Sequence, residues 1–478
     1  MEGYQEINSL NSGALRQLNT FLREHRQTWA QATPDLEAFE QGLMRQLMAL
    51  GREVLAAELA AYDLEAAQVL VNGVRCRQSV RTPATYMTCA GPVQVERRVY
   101  RPAGRGSRHV CPLELQAGIV AGYFTPAAAR QAAYVTAHLP PAVGAELFEE
   151  LSGMQPSASS LTRLPKDLSA RWEAHRSDWE AQLRGLEPVA AEAVTLAVGL
   201  DGVMAPMRPD ACAPAAKTGK QPKGPKGYRE VGCGTLSLYD AEGERLATIR
   251  YARQPEPHKA TLRQQLEAEA QAIAAVAPRL RLVKLSDGAK AHWDYLARLK
   301  VAPAGQPLQS WEIVDFYHAC DHLHHALILV WGECTPEGRA EFARLKTILK
   351  EADDGVERII RHLAYRRRQA RGAVRAGLAK ELRYFRNQRH RMRYAHYLRE
   401  HLPIASGVVE AACKTLVTQR LKQSGMRWSG YGAQAILTLR SLIQSQRWQP
   451  GWHLLRQSYQ QDVSSLPVSA YAALPLAA

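Results

Sequence analysis

Val194-Thr-Leu-Ala-Val-Gly-Leu-Asp201-Gly-Val203 decides the fold. Six of the seven residues before Asp201 are apolar or glycine, with polar sequence on either side. Such a run reads as a buried strand, here one that delivers a carboxylate at its end. Two more acids stand in comparable places. Leu282-Val-Lys-Leu-Ser-Asp287-Gly is a second short strand ending in Asp-Gly, and Ser406-Gly-Val-Val-Glu410-Ala-Ala-Cys-Lys414 opens a helix with an acid in its first turns. Taken alone, each acid reads as a turn or capping residue. Taken together, acids on elements far apart in sequence are the material of a metal site for phosphoryl transfer.

The surrounding pattern alternates strand and helix. Glu230–Tyr239 and Glu244–Tyr251 form a hairpin expected beside the Asp201 strand. A helix over Thr261–Val276, the Asp287 strand, a helix over Ala289–Leu299 and a strand over Trp311–Asp315 follow. Between the first two strands lies a polar loop, Met207–Tyr228, carrying Lys217, Lys220, Lys223 and Lys226. Residues 335–403 then read as entirely helical. Within them, Arg358–Arg399 holds fourteen Arg or Lys against one acid, Glu381, with Tyr365, Tyr384, Phe385, Tyr394 and Tyr397 interleaved. A run this one-sided repels itself unless a polyanion neutralises it.

Upstream, residues 1–30 are polar and read as partly mobile. Leu36, Phe39, Leu43, Leu47, Leu50, Val54, Leu55 and Leu59 make one apolar helical stripe, for a core or an oligomer contact. Residues 74–100 alternate as two strands around a Gly91-Pro92 turn and form a small basic β module. Pro126–His138, Ala142–Leu151 and a third helix opened by serines near Ser159 give the pattern of a helix-turn-helix. In that reading Ser160, Thr162, Arg163 and Lys166 face a major groove. The expected division is 1–69 (N-terminal helices), 70–122 (β module), 123–189 (helix-turn-helix-like), 190–334 (core, first part), 335–403 (all-α basic insertion) and 404–478 (core, C-terminal helices and tail).

Composition bounds the partners. The chain has 478 residues, 61 Lys and Arg against 46 Asp and Glu, and a net charge of +15, which points to a nucleic acid. No signal-peptide pattern opens the sequence, and no apolar run reaches the roughly 20 residues of a membrane span. The eight cysteines are scattered without a CxxC, so reduced thiols and a cytoplasmic location are expected. His318, His322 and Cys334 form a His/Cys-rich stretch whose spacing matches no zinc finger.

The Asp201 strand, Ser286-Asp287-Gly, Val314-Asp315-Phe-Tyr-His318-Ala, the helical insertion, Ser406-Gly-Val-Val-Glu410 and Lys422-Gln-Ser-Gly-Met-Arg427-Trp428-Ser resemble the Kra group of bacterial insertion-sequence transposases, related to the Mutator-like DDE enzymes. The resemblance spans about residues 35–450. It implies an α+β chain with a ribonuclease H-like core interrupted by an all-α insertion. It implies that Asp201, Asp287 and Glu410 hold two Mg²⁺ (or Mn²⁺) ions, with Asp315 the rival for the second acid and His318 an auxiliary catalytic contact. The implied substrates are double-stranded DNA, both the element's terminal inverted repeats and the target, acted on by a homodimer or larger assembly. Arg163, Lys166, Lys217, Lys220, Lys223, Arg366, Arg367, Arg368, Arg386, Arg389, Arg427 and Trp428 are the expected DNA contacts. Relatives carry paired cysteines in the β module; here only Cys89 and Cys111 remain, and no zinc is expected there. The rival functions are a non-catalytic DNA-binding regulator, a zinc hydrolase built on His318, His322 and Cys334, and a ribonuclease H-like nuclease for branched DNA.

Overall fold

A computed structural model describes residues 13–29, 35–102, 109–151, 153–208 and 227–465. The chain forms two units, Met1–His175 with Gln449–Ala478, and Arg176–Trp448, which together take in the six regions read from the sequence.

The first unit opens with α1 (Gly13–Thr28) and α2 (Leu36–Ala61). Residues 13–28, read as part of a mobile segment, are thus helical. Ala14 is buried, and the Phe21 ring stacks on Phe39 with centroids 5.6 Å apart. Gly42 permits the close approach, since a Cβ there would sit 2.6 Å from the Phe21 ring. Much of the α2 stripe stays exposed, Leu36, Leu47 and Val54 included. Next come β1 (Gln68–Val71), β2 (Val74–Thr88) and β3 (Gly91–Pro102), joined as antiparallel neighbours. Val463–Ser465, from the far end of the chain, adds to the free edge of β1.

Helices α3 (Pro112–Ala117), α4 (Pro126–His138), α5 (Pro141–Leu151) and α6 (Ala158–Leu186) follow. The third helix of the expected helix-turn-helix runs for 29 residues. One assigned groove contact does not hold. Ser160 is buried and its hydroxyl lies 3.0 Å from the Ser157 hydroxyl, because it faces back into the helix start. Thr162 and Arg163 are exposed.

The second unit is mixed α and β. Its strands are β4 (Thr195–Pro206), β5 (Tyr228–Tyr239), β6 (Arg245–Arg253), β7 (Arg281–Ser286) and β8 (Ser310–Val314), with α7 (Ala260–Val276) and α8 (Lys290–Leu296) between them. The sheet order is β6-β5-β4-β7-β8. The β6-β5-β4 pairs are antiparallel, and β4-β7-β8 are parallel. The hairpin therefore does lie beside the Asp201 strand.

Helices α9 (Phe316–Trp331), α10 (Pro336–Glu351), α11 (Gly355–Gln369), α12 (Gly372–Gln388) and α13 (Tyr394–Arg399) come next. They are not a separate body. Leu349, Ile359, Leu363, Leu382 and Phe385 share one buried core with Val283, Ile313 and Leu323. After α14 (Gly407–Ala412) a π-helical turn, Cys413–Thr418, leads into α15 (Gln419–Leu421) and then α16 (Gly430–Gln444). The chain finishes with α17 (Trp448–Tyr459), unforeseen from the sequence, and β9 (Val463–Ser465). No described helix is long and apolar enough to cross a membrane.

A buried ionic knot holds the second unit together. Arg447, 2% exposed at its side chain, donates to Glu187 Oε1 (2.6 Å), Glu269 Oε1 (2.6 Å) and the Tyr251 hydroxyl (2.7 Å). Arg447→Met leaves the Glu269 carboxylate with only the Arg184 guanidinium, 3.5 Å from its Oε2, and is expected to cost about 3–5 kcal/mol. Urea unfolding followed by circular dichroism checks this; a loss below about 1 kcal/mol would mean that Arg184 or water makes good the lost cation.

Candidate metal centre

The pairing of β4 with β7 stops at Gly199–Leu285. One step further, Ser286 Oγ donates to the Leu200 carbonyl at 2.8 Å. The next residue on each chain segment is an acid, Asp201 and Asp287. Ligand atoms of Asp201, Asp287 and His292 lie within 4.8 Å of one another, the one such group of three among the described residues.

Asp287 is fixed from several sides. Its Oδ1 accepts from the Ala289 amide (3.0 Å) and from His292 Nδ1 (3.1 Å), and its carbonyl accepts from Trp293 Nε1 (2.7 Å). Burial works against the charge, yet the hydrogen bonds from His292 and the Ala289 amide outweigh it and hold the carboxyl below its ordinary value. Its Oδ2 accepts no hydrogen bond from the described residues. Asp201 Oδ1 accepts from the Gly202 amide at 2.7 Å, and Cys413 Sγ donates to its Oδ2 at 3.5 Å.

His292 is 5% exposed and sits at the start of α8. Lys259 Nζ lies 2.8 Å from its Nε2. An ammonium can only donate, so Nε2 accepts and Nδ1 carries the proton given to Asp287. His292 therefore orients the acid in the manner of an outer-shell partner.

Glu410 stands outside the group of three. It is exposed on α14, and Ser406 Oγ donates to its Oε1 at 2.7 Å. The helix itself lies on the site. Val409 packs where Gly199 has no side chain, and Cys413 reaches Asp201. A π-helical turn begins right after α14, and such turns concentrate at functional sites.

Asp315 has another task. It is 1% exposed and caps α9, its Oδ1 accepting from the His318 amide at 2.5 Å and its Oδ2 from the Ser406 amide. Both oxygens are used by backbone, so Asp287 is the acid that faces Asp201. His318 occupies the first turn of α9, its ring 5.1 Å from that of His322. His322 stacks on Tyr384 at 3.6 Å, and its Nδ1 is 2.5 Å from Glu381 Oε2. Burial, the largest influence, lowers the pKa of His322 despite Glu381. Cys334 is exposed beyond the end of α9, and the zinc set His318, His322 and Cys334 does not come together.

The assigned DNA contacts divide by exposure. Arg163, Arg368, Arg386, Arg389 and Arg427 are exposed, while Lys166, Arg366 and Arg367 are half-buried. Arg366 lies 5.0 Å over the Trp331 ring. Trp428 is committed to the fold. Its amide donates to Pro206 O (3.0 Å), its carbonyl accepts from Arg208 (2.7 Å), and its indole N–H donates to Leu421 O (3.0 Å). Lys217, Lys220 and Lys223 lie outside the described residues. On α12 the exposed positions include Arg375, Lys380, Arg383 and Arg386. The same helix turns Tyr384 toward Gly288, where a Cβ would come within 2.3 Å of the ring. Gln388 Nε2 donates to the Gly288 carbonyl at 3.3 Å.

His292, Lys259 and Glu230 were not singled out from the sequence. His292 follows Asp287 by five residues on a helix, a spacing that carries no motif. Lys259 and Glu230 arrive from other elements. Compared with models of known families the chain matches none, and no curated protein matches it.

The two kinds of acid separate in mutants. Asp201→Asn and Asp287→Asn are expected to weaken Mn²⁺ binding at least about tenfold with little change in the unfolding midpoint. Asp315→Ala does the reverse, costing about 1–3 kcal/mol for each amide left unpaired. Calorimetric Mn²⁺ titration beside thermal melts reads both, and a destabilised Asp201→Asn that still binds the ion would assign that acid to the fold.

Proposed function

We propose that the chain is a DDE-type DNA transposase whose second unit is a ribonuclease H-like catalytic core with an all-α insertion. One observation carries the reading: Asp201, inside β4, and Asp287, just past the end of β7, come together where the parallel pairing of those two strands stops. Two antiparallel strands beside β4 and two parallel ones on its other side, with helices α10–α13 preceding the Glu410 helix, agree with it.

The donor set suits Mg²⁺ or Mn²⁺. Both are hard cations that take carboxylate oxygen and keep several waters. Asp201 and Asp287 offer ionisable carboxylates in reach of one another, and Asp287 keeps one oxygen unengaged. Glu410 is the third acid under this reading, two ions being expected per site. Bound divalent ions would supply an activated water and charge to balance the phosphorane-like transition state. The chain's own part is placement. His292 and the Ala289 amide hold the Asp287 carboxylate, the Gly202 amide and Cys413 hold that of Asp201, and His318 is the auxiliary contact under this reading. Arg368, Arg386, Arg389 and Arg427 are the exposed phosphate contacts, and binding should weaken steeply with salt.

The reaction is hydrolysis at each element end to free a 3′ hydroxyl, which then attacks target DNA. Asp201→Ala and Asp287→Ala are expected to slow Mg²⁺-dependent nicking of labelled element-end DNA by at least about a hundredfold, some 2.7 kcal/mol of transition-state stabilisation. Gel-shift binding to the same ends should persist in both. Full function in Asp201→Ala would identify a non-catalytic regulator. Cutting of branched DNA without regard to end sequence would identify a structure-specific nuclease.

A further inference from the structure

Lys259 and Glu230 are built into the same cluster and have no task in the reading above. Lys259 Nζ lies 2.8 Å from His292 Nε2, 3.0 Å from Glu230 Oε1 and 3.4 Å from the Asp201 carbonyl oxygen. Its side chain is 13% exposed. A cation is thereby held one imidazole away from Asp287 and against the backbone of Asp201.

Reaching that position takes unusual backbone. His258 and Lys259 are consecutive residues with φ of 55° and 52°. The left-handed region is unfavourable for residues with a Cβ, and two in succession need a surrounding structure that enforces them. The strands also make room. Gly202 and Gly232 face each other in the β4–β5 register. A Cβ at Gly202 would lie 2.1 Å from Glu230 Oε1, and one at Gly232 would lie 2.9 Å from Leu262 Cδ2 and 3.3 Å from Lys259 Cδ. Both strands lack side chains where the glutamate and the lysine stem enter. Glu230 is 47% exposed, so its pair with Lys259 is partly screened and does not by itself account for two successive left-handed residues.

We propose that Lys259 is a catalytic residue that binds the scissile phosphate, its ammonium donating to a non-bridging oxygen while Glu230 and His292 hold it in place. This rests on the phosphoryl-transfer reading of the site. Lysine is a compact point charge and a common phosphate binder. In the hydrolytic step a water oxygen bonds to phosphorus, and the bond from phosphorus to the 3′ oxygen breaks with its electron pair leaving on that oxygen. The proton lost by water is balanced by one gained by the leaving oxygen. Lys259 stays an ammonium throughout and acts on the charge that builds on the phosphate oxygens. The rival is a lysine that only neutralises the acids until a cation arrives.

Full-length wild type, Lys259→Met, Lys259→Arg and Asp201→Ala are compared in single-turnover nicking of element-end DNA at saturating Mg²⁺. Methionine keeps the stem in the glycine cradle, and circular dichroism checks folding of each variant. Lys259→Met is expected to cut at least about tenfold slower, with no rise in the Mg²⁺ needed for half-saturation. Added ethylammonium should restore part of the rate, and Lys259→Arg should fall between. A wild-type rate in Lys259→Met at saturating Mg²⁺, or a loss that neither arginine nor added amine relieves, overturns the contact. If wild type cuts and Asp201→Ala does not, that failure touches Lys259 alone. If wild type cuts no DNA, the phosphoryl-transfer reading falls and the contact falls with it.

Discussion

A single lateral hydrogen bond, from Ser286 Oγ to the Leu200 carbonyl, ties two parallel strands together just past the end of their ladder. The site depends on that register. Side chains alternate between the faces of a strand, so a slip of one residue would send Asp287 to the opposite face from Asp201. The same stretch of β4 sets the distance of the overlying helix. Gly199 leaves the space that Val409 fills, which lays α14 on β4 and carries Cys413 to the Asp201 carboxylate.

Two carboxylates brought together repel, and burial makes each harder to ionise. The chain resolves the conflict unequally. Asp287 receives an imidazole N–H and a backbone N–H on one oxygen and remains charged with the other oxygen open. Asp315, at the end of the neighbouring strand, has both oxygens taken by amides and acts as a cap. An acid that serves the fold has its lone pairs used up. An acid kept for a ligand is steadied on one side and left free on the other. That contrast separates the two aspartates, and burial runs with it, Asp287 being 32% exposed at its side chain and Asp315 buried.

Much of the second unit was legible because its strands are short apolar runs. Leu196, Val198 and Leu200, then Leu282, Val283 and Leu285, announce buried strands; Asp287 does mark the end of its strand, but β4 does not end at Asp201 as expected and runs on to Pro206, because β5 pairs with it throughout. The order of strands and helices between 195 and 314 follows from the same alternation. Pieces defined by distant partners were not legible. β9 is three residues that become a strand only by pairing with β1, and the helix over 13–28 needs Phe39 to complete its packing. The site shows the same division. Asp201 and Asp287 could be read as acids that follow apolar strand runs, whereas Lys259 enters through two left-handed residues and Glu230 through cross-strand register. Composition overstated one feature. Of the basic residues between 358 and 399, Arg358 and Arg361 pair with Asp354, Arg391 with Glu312 and Arg399 with Asp353. The lone acid of that run, Glu381, is buried against His322 and also pairs with the exposed Lys380 at 3.8 Å.

What remains of the charge excess is therefore placed by packing. On α12, Leu378, Leu382 and Phe385 are locked into the core, which fixes the rotation of the helix and turns Arg375, Arg383 and Arg386 outward. Tyr384 and Gln388 of that helix abut Gly288, the residue after Asp287. A basic tail without a core could hold a polyanion equally well, since such attraction is largely indifferent to geometry. It could not hold a chosen phosphate at a chosen distance from an acid. A helix whose apolar side is buried beside the Asp287 turn and whose arginines face outward can do so, because the rows are separated by the fixed width of the helix. Packing of α12 thus fixes where its arginines stand relative to Asp287, which charge alone would leave undetermined.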